Sequence, residues 1–359
     1  MKEKIALLTL TDRGLDTILR IVHGLPESVQ PKIYLHQKVI PQKNITAQRD
    51  YQVFSRLKDI VPQLWQESEV LVFVMASGIV VRQIASLVEG KDRDPAVLVL
   101  DEAGEFVIPL LSGHLGGANA WARQISEHIK AVPVITTATD VRGMVAPDEY
   151  ARRYGWKVEP VSHLPEVNSL LLKRSYLNVW TSYPFQANEN AWLQDSHYRF
   201  LPDSDKDQAN VIIDAFPDSN VKGDSLYLVP PVLSVGVGCR RGVAKEIILE
   251  RILTAIQLLG ASPKAISGLY SIDLKSDEVG LIEAAAYLGV PFRTFPAEEL
   301  QTVNHQNQLN RSNFVSEKIG VDGVCEAASL LGTSKGRLIL PKTKGQGVTV
   351  AISIENFML

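Results

Sequence analysis

Cysteine is almost missing from this chain. Cys239 and Cys325 are the two it has in 359 residues, and no CxxC pair exists. Two separated thiols give no disulfide framework, so a reducing cytoplasm is the expected compartment. Long hydrophobic runs are missing as well. No stretch approaches the ~20 apolar residues that cross a bilayer, so no membrane association is expected. The short apolar run in "MKEKIALLTLTDRGLD" is broken by polar residues within a strand length and lacks the core and cleavage site of a signal peptide. Neither sign of charge is in excess: 37 Lys and Arg face 40 Asp and Glu, a net −3. With no basic tail, generic nucleic-acid binding has little support. The seven histidines form no HExxH or similar helical pair, so neither a protein-bound metal nor a resident cofactor is expected. A G-x-x-x-x-G-K-[ST] phosphate loop, internal repeats and low-complexity tracts are absent too.

What is present is a globular composition, 45% hydrophobic and 21% charged, in a chain long enough for about two or three domains. Residues 1–140 alternate strand and helix. "KIALLTL", "KIYLH", "EVLVFVM", "AVLVLD" and "VPVITT" are near-continuous apolar runs, as in strands covered on both faces. After Gly117, residues Ala118, Trp121, Ala122, Ile125 and Ile129 recur at helical spacing. That order predicts a Rossmann-like N-terminal domain on a parallel sheet. Residues 141–231 read as a small strand-rich linking module, with "YLNVWTSYPF", "NVIIDAF" and "SLYLVPP" as strands and Pro230-Pro231 as its boundary. Residues 232–359 return to α/β. There "VLSVGVG", "AISGLYSIDL" and "VPFRTF" alternate with helices from about 243, after a Ser276 cap, and at "VCEAASLLG". "RLILP" and "GVTVAISI" form a closing hairpin, which makes the last sheet mixed. The expected fold class is α/β throughout.

Chemistry gathers where strands exit into glycine. "LVFVMASGIVVRQIA" and "FVIPLLSGHLGGANAWA" both run strand, Ser-Gly, helix, and a further strand ends in "TTATD". If these strands are all parallel, their carboxyl ends share the edge where open α/β sheets bind ligands. Ser77, Gly78 and Arg82 would then converge with Ser112, Gly113, His114, Gly116, Gly117, Asn119, Thr136, Thr137 and Asp140. Helices starting there offer free N–H groups and a positive dipole end to an anion, although glycines also simply permit tight turns. His114, set between glycines, can serve as a general base near neutral pH with Asp140 orienting it. A turn-filling histidine and a capping aspartate are the equally open bland readings. His23, His36, His128, His163, His197 and His305 lack such a setting.

In the last domain, "GVGCRRG" departs from G-x-G-x-x-G, because its sixth position is Arg241 and no acid follows where a ribose needs one. Arg240 and Arg241, at the start of a helix, suit carboxylates through bidentate pairing; solvated charges are the alternative. Cys239 beside them is either an activated thiol or a small buried side chain. Lys335, Arg337, Lys342 and Lys344 form a further cationic set, by default solvated surface and on the sharper reading a second carboxylate patch.

Taken together, "MASGIVVRQIA", "DPAVLVLDEAGEFVIPLLSGHLGGANAWA" and "PVITTATD" resemble the N-terminal domain of the cobalt-precorrin-5A hydrolases (CbiG) of anaerobic cobalamin biosynthesis. "LSVGVGCRRG", "YSIDLKSDEVGLIEAA" and "GVCEAASLLG" resemble that family's C-terminal domain, and the middle module falls where the family is variable. The resemblance implies a hydrolase acting on carbon–carbon bonds. Its substrate would be a cobalt-containing tetrapyrrole with a δ-lactone between the ring A acetate and C20. Water opens the lactone, and C20 leaves with its methyl group as acetaldehyde, giving cobalt-precorrin-5B. The cobalt belongs to the substrate. On this reading His114 is the base for water, and the N–H groups from Gly113 to Gly117, with Ser112 and Asn119, serve the oxyanion. Arg82, Arg240 and Arg241 would hold carboxylate arms. Two other readings stand beside it: a non-enzymatic carrier of a labile tetrapyrrole, and a nucleotide-using transferase with "SGHLGGAN" as phosphate loop. Transient contacts with neighbouring pathway enzymes and self-association stay open.

Overall fold

The computed structural model describes residues 4–27, 29–40, 51–91, 93–184, 191–217, 224–307, 309 and 323–358. They fall into two compact units, Met1–Arg153 and Tyr154–Leu359. Among the described residues no helix is long and apolar enough to cross a membrane.

The first unit is built on β1 (Ile5–Thr9), β2 (Lys32–His36), β3 (Tyr51–Phe54), β4 (Val70–Val74), β5 (Ala96–Leu100), β6 (Phe106–Leu111) and β7 (Val132–Pro133). They form one sheet in the order β3-β2-β1-β4-β5-β6-β7. Every residue of β1, β4 and β5 is buried, which is why these runs show no polar alternation. Two apolar clusters cover the two faces, one around Ile18, Val72 and Trp121 and the other around Val61, Phe73 and Val80. On the helix Ala118–Ile129, the residues Ala118, Trp121, Ala122, Ile125 and Ile129 are all buried, as their spacing predicts. Each larger one contributes about 1.5–3 kcal/mol over an exposed position.

One strand direction departs from expectation. β5 and β6 are antiparallel, with Leu100 opposite Val107 and Val97 opposite Leu111, while β6 and β7 are parallel. Only residues 101–105 join β5 to β6, and a parallel return needs a crossover of a dozen or more residues. Asp101 shapes the turn: its carboxylate accepts the Phe106 N–H at 2.7 Å and the Ala103 N–H at 3.1 Å. The N-terminal sheet is therefore parallel-rich and mixed. Because β6 and β7 run against β1 to β5, they end on the edge where β4 and β5 begin.

The second unit holds two sheets. β8 (Lys157–Glu159), β9 (Leu177–Thr181), β10 (Tyr198–Phe200), β11 (Val211–Ile213) and β12 (Leu226–Val229) pair in the order β10-β9-β11-β12-β8. β13 (Leu233–Cys239), β14 (Ile266–Ile272), β15 (Phe292–Phe295), β16 (Arg337–Gly345) and β17 (Val348–Ile354) pair as β15-β14-β13-β17-β16. A shared apolar core runs through both, with Trp180, Ile212 and Tyr227 in one cluster with Val235, Ile252 and Val350. The closing hairpin turns at Gln346 and Gly347, both at positive φ, the geometry that suits a tight two-residue turn. The middle segment also carries the helix Leu164–Arg174. The helix Pro147–Arg153 lies in the first unit. Ser276 does not cap the next helix; Glu278 holds that position.

Candidate active site

β6 ends at Leu111 and the chain reverses at once. Ser112 takes φ 56°, a left-handed conformation unfavourable for a residue with a side chain, and its hydroxyl is anchored on the Asp94 carbonyl at 3.0 Å. Gly117 provides φ 85° just before the helix Ala118–Ile129. A Cβ on Gly116 would sit 2.4 Å from the Ser112 Cβ, so the turn closes only around a bare backbone. Within it, the N–H groups of Gly117, Ala118 and Asn119 donate to the carbonyls of His114, Ser112 and Gly113. Those of residues 113–116 donate to nothing among the described residues.

The turn delivers His114 into a ring of polar side chains. Its Nε2 lies 2.9 Å from Asp140 Oδ2 and 3.2 Å from Thr139 Oγ1. Nδ1 faces Asp148 Oδ1 at 3.6 Å, longer than an ordinary hydrogen bond, and that oxygen has no hydrogen-bond partner. Only 9% of the His114 side chain and 6% of Asp140 and Asp148 are exposed. Burial alone would lower the imidazole pKa, but hydrogen bonding and attraction from Asp140 and Asp148 raise it to about 9. Burial likewise opposes charge on Asp140, yet His114 and Arg123 hold its carboxyl down at about 2.

The resting site at neutral pH is therefore an imidazolium between carboxylates. Both ring nitrogens of His114 face acids, so in this arrangement the imidazole presents no free lone pair, where the sequence leads one to expect a base. Asp140 is itself held in place by its neighbours. Asn119 Nδ2 donates to Asp140 Oδ2 at 2.9 Å and to Thr137 Oγ1 at 3.0 Å. Arg123 pairs with the other Asp140 oxygen. Asn119 and Ser112 are thus committed to the scaffold and are not spare donors. Thr136 is exposed.

The helix Pro147–Arg153 completes the cluster with residues the sequence reading missed. Asp148 and Glu149 are 4% and 6% exposed, and Glu149 bonds Arg153 at 2.6 Å. Arg152 runs beside Gly117, where an added Cβ would meet its Cδ at 3.2 Å, and its Nε is buried without a hydrogen-bond partner. The signal was a proline followed by paired acids and paired arginines in "PDEYARR". His114, Asp140 and Glu149 each offer an atom within 4.8 Å of the others, a spacing that can hold a cation. Arg123 and Arg153 already neutralise two of these carboxylates, which disfavours adding a dication.

Other expected residues lie elsewhere. Ser77 and Gly78 open the helix Ser77–Ile84 at the carboxyl end of β4, the opposite sheet edge from His114. Arg82 on that helix is turned back on Gly78 O at 3.0 Å and exposed. The convergence of the two Ser-Gly exits is overturned, because β6 runs antiparallel. Arg240 and Arg241 belong to the second unit. They precede the helix Lys245–Leu258 by a turn rather than starting it, and Arg241 is already paired with Asp277 at 2.8 and 2.9 Å. Burial raises the Cys239 thiol pKa, so it is not an activated thiolate; Cys325 is buried and pushed up to about 11.

Comparison with known proteins decides the family. Residues 59–140 match the profile described as cobalamin synthesis G N-terminal, 145–230 the cobalamin biosynthesis central region, and 233–353 the cobalamin synthesis G C-terminus. A cobalt-precorrin-5A hydrolase from Salmonella typhimurium is 32% identical over 98% of both chains. One from Priestia megaterium is 30% identical over 90% of this chain and 88% of its own. The chain belongs to the cobalt-precorrin-5A hydrolase (CbiG) family. It is a hydrolase of cobalamin biosynthesis. A solved cobalamin biosynthesis protein G homologue from Sulfolobus solfataricus aligns over 98% of this chain and 97% of its own, with 20% identity and a TM-score of 0.40. The N-terminal match takes in His114, Asn119 and Asp140, and the central match takes in Asp148 and Glu149.

Proposed function

We propose that this hydrolase acts on cobalt-precorrin-5A. Water adds to the lactone carbonyl, and the bond from that carbon to the C20 oxygen breaks. This leaves a ring A carboxylate and a hydroxyl on C20. The C20 hydroxyl then gives its proton to solvent, and C20 departs with its methyl group and that oxygen as acetaldehyde. The electrons of the broken carbon–carbon bond pass to the conjugated macrocycle, giving cobalt-precorrin-5B. The observation that carries this reading is the pair of relatives bearing that name, at 32% and 30% identity over most of both chains.

The geometry around His114 supports a division of labour. The unused N–H groups of residues 113–116 suit the tetrahedral oxyanion. The His114 imidazolium hands its proton to the departing C20 oxygen. Asp148, whose Oδ1 has no hydrogen-bond partner, takes the proton of the attacking water. Arg152 supplies a cation for an acetate arm. The cobalt travels with the substrate.

The decisive experiment incubates the purified protein with the cobalt lactone under anaerobic conditions and traps acetaldehyde. One acetaldehyde per lactone consumed is expected. Tight binding with no acetaldehyde would identify a carrier and end this reading.

A further inference from the structure

A second polar cleft lies within the second unit. β9 and β11 are adjacent and parallel, with Ile213 opposite Thr181, so both end on one edge. From there the chain leaves β9 toward β10 on one flank and β11 toward β12 on the other. Diverging exits of this kind open a crevice at the carboxyl ends of an α/β sheet. The Tyr183 hydroxyl accepts the Ala215 N–H at 3.1 Å, which pins the two exit loops together. The Tyr183 ring meets Phe357 edge-on at 5.0 Å. Phe216 adds a further apolar surface, and the cleft encloses about 600 Å³, within the range of ligand sites.

Lys335 and Arg337 also line the cleft. Glu355 does not neutralise them through an ion pair. Its carboxylate is spent on the Ser334 N–H, the Ser334 hydroxyl and the Lys335 N–H, at 2.7, 2.8 and 3.0 Å. Neither charged head has an ion-pair partner among the described residues. Asp214 also lines the cleft; its carboxylate accepts the Phe216 N–H at 3.1 Å, and burial favours its protonated form. The site thus joins aromatic surface to two cations that have no ion-pair partner among the described residues. Among the described residues that line it there is no glycine, the residue of the N–H nests that phosphates favour.

We propose that this cleft binds the carboxylate-bearing edge of a planar tetrapyrrole, with Lys335 and Arg337 gripping its acid arms and Tyr183, Phe216 and Phe357 contacting its face. The choice of tetrapyrrole rests on the reading under the preceding heading.

The test titrates the full-length protein with uroporphyrin, a stable flat tetrapyrrole rimmed with acetate and propionate arms, and reads its fluorescence. Lys335→Gln/Arg337→Gln should weaken binding by about tenfold or more, since each side chain contributes a partly solvated charge-assisted contact. Lys342→Gln/Lys344→Gln removes equal charge from the same hairpin outside the cleft and should leave binding intact. Equal affinity in the wild type and the Lys335/Arg337 variant overturns the proposal, as does ATP binding with the same dependence on that pair. Acetaldehyde assays separate the two claims. Wild-type turnover, with KM and uroporphyrin binding both unmoved in the variant, removes the cleft and leaves the function standing. No turnover by the wild type, with uroporphyrin binding lost in the variant, removes the function and leaves the cleft.

Discussion

Two turns in the first unit share one local plan, an apolar strand running through Ser-Gly into a helix, and they end up with opposite characters. At Ser77-Gly78 the chain passes straight into helix, and a Cβ on Gly78 would meet nothing nearer than Arg82 NH1 at 3.5 Å. At Ser112-Gly113 the backbone is left-handed, Gly116 lies against the Ser112 backbone and side chain, and a buried histidine is clasped by acids. What separates them is strand direction. β4 ends on the outer edge of a parallel run; β6, turned back by a five-residue link, ends beside the start of β5 and the Asp94 carbonyl. A motif therefore becomes a site only through what the topology sets against it.

The largest expected difference between the two turns is catalytic. His114→Asn should lower acetaldehyde release by about 100-fold or more, the usual contribution of a positioned proton donor, while Arg82→Gln should stay within about twofold, since its side chain only closes on its own helix. Steady-state trapping of acetaldehyde reads both. Equal losses would mean that the antiparallel β6 does not separate the turns in function, and full activity in His114→Asn would remove the proton donor.

The next effect is on stability against pH. His114 is raised from 6.5 to about 9 by folding. Its contribution is therefore fully present below pH 6.5 and fades as pH climbs through 9. Asp140 is lowered from 3.8 to about 2, so its share is present above pH 3.8 and fades as pH falls through 2. Both shifts describe one ion pair and are counted once. The His114 shift amounts to about 3 kcal/mol of stability lost between pH 6.5 and 9. Urea unfolding followed across that interval should show the decline in the wild type and a flat profile in His114→Asn. A flat wild-type profile would mean the imidazole is not held as a cation.

Much of this was legible in the residues. The buried strands announced themselves as unbroken apolar runs, and the helix after Gly117 as a 118, 121, 122, 125, 129 stripe. His114, Asn119, Thr137 and Asp140 stood out because glycines and polar residues end strands there. The direction of β6 was overlooked, although "DEAGE" encodes it: a link too short to cross over, with an aspartate and a positive-φ glycine to make the turn. Asp148 and Glu149 were illegible for another reason. They reach His114 only because the Ala138–Val141 helix and the turn after it bring Pro147–Arg153 back over the site, and no local spacing reports that. The charge on His114 depends in part on Asp148.

The smaller effects compare the glycines themselves. Gly116→Ala places a methyl group 2.4 Å from the Ser112 Cβ and 2.9 Å from its carbonyl oxygen. Ser112 is held by Asp94 and cannot yield, so a loss of about 1–3 kcal/mol is expected from overpacking. Gly78→Ala should go the other way. Its φ is not positive, its surroundings are open, and alanine in a helical first turn restricts the unfolded chain without strain, for a gain of about 0.5 kcal/mol. Thermal unfolding of the two variants against the wild type measures the contrast. If Gly78→Ala destabilises as much as Gly116→Ala, the Ser77 turn is packed against something, and the view of it as a bare strand exit fails.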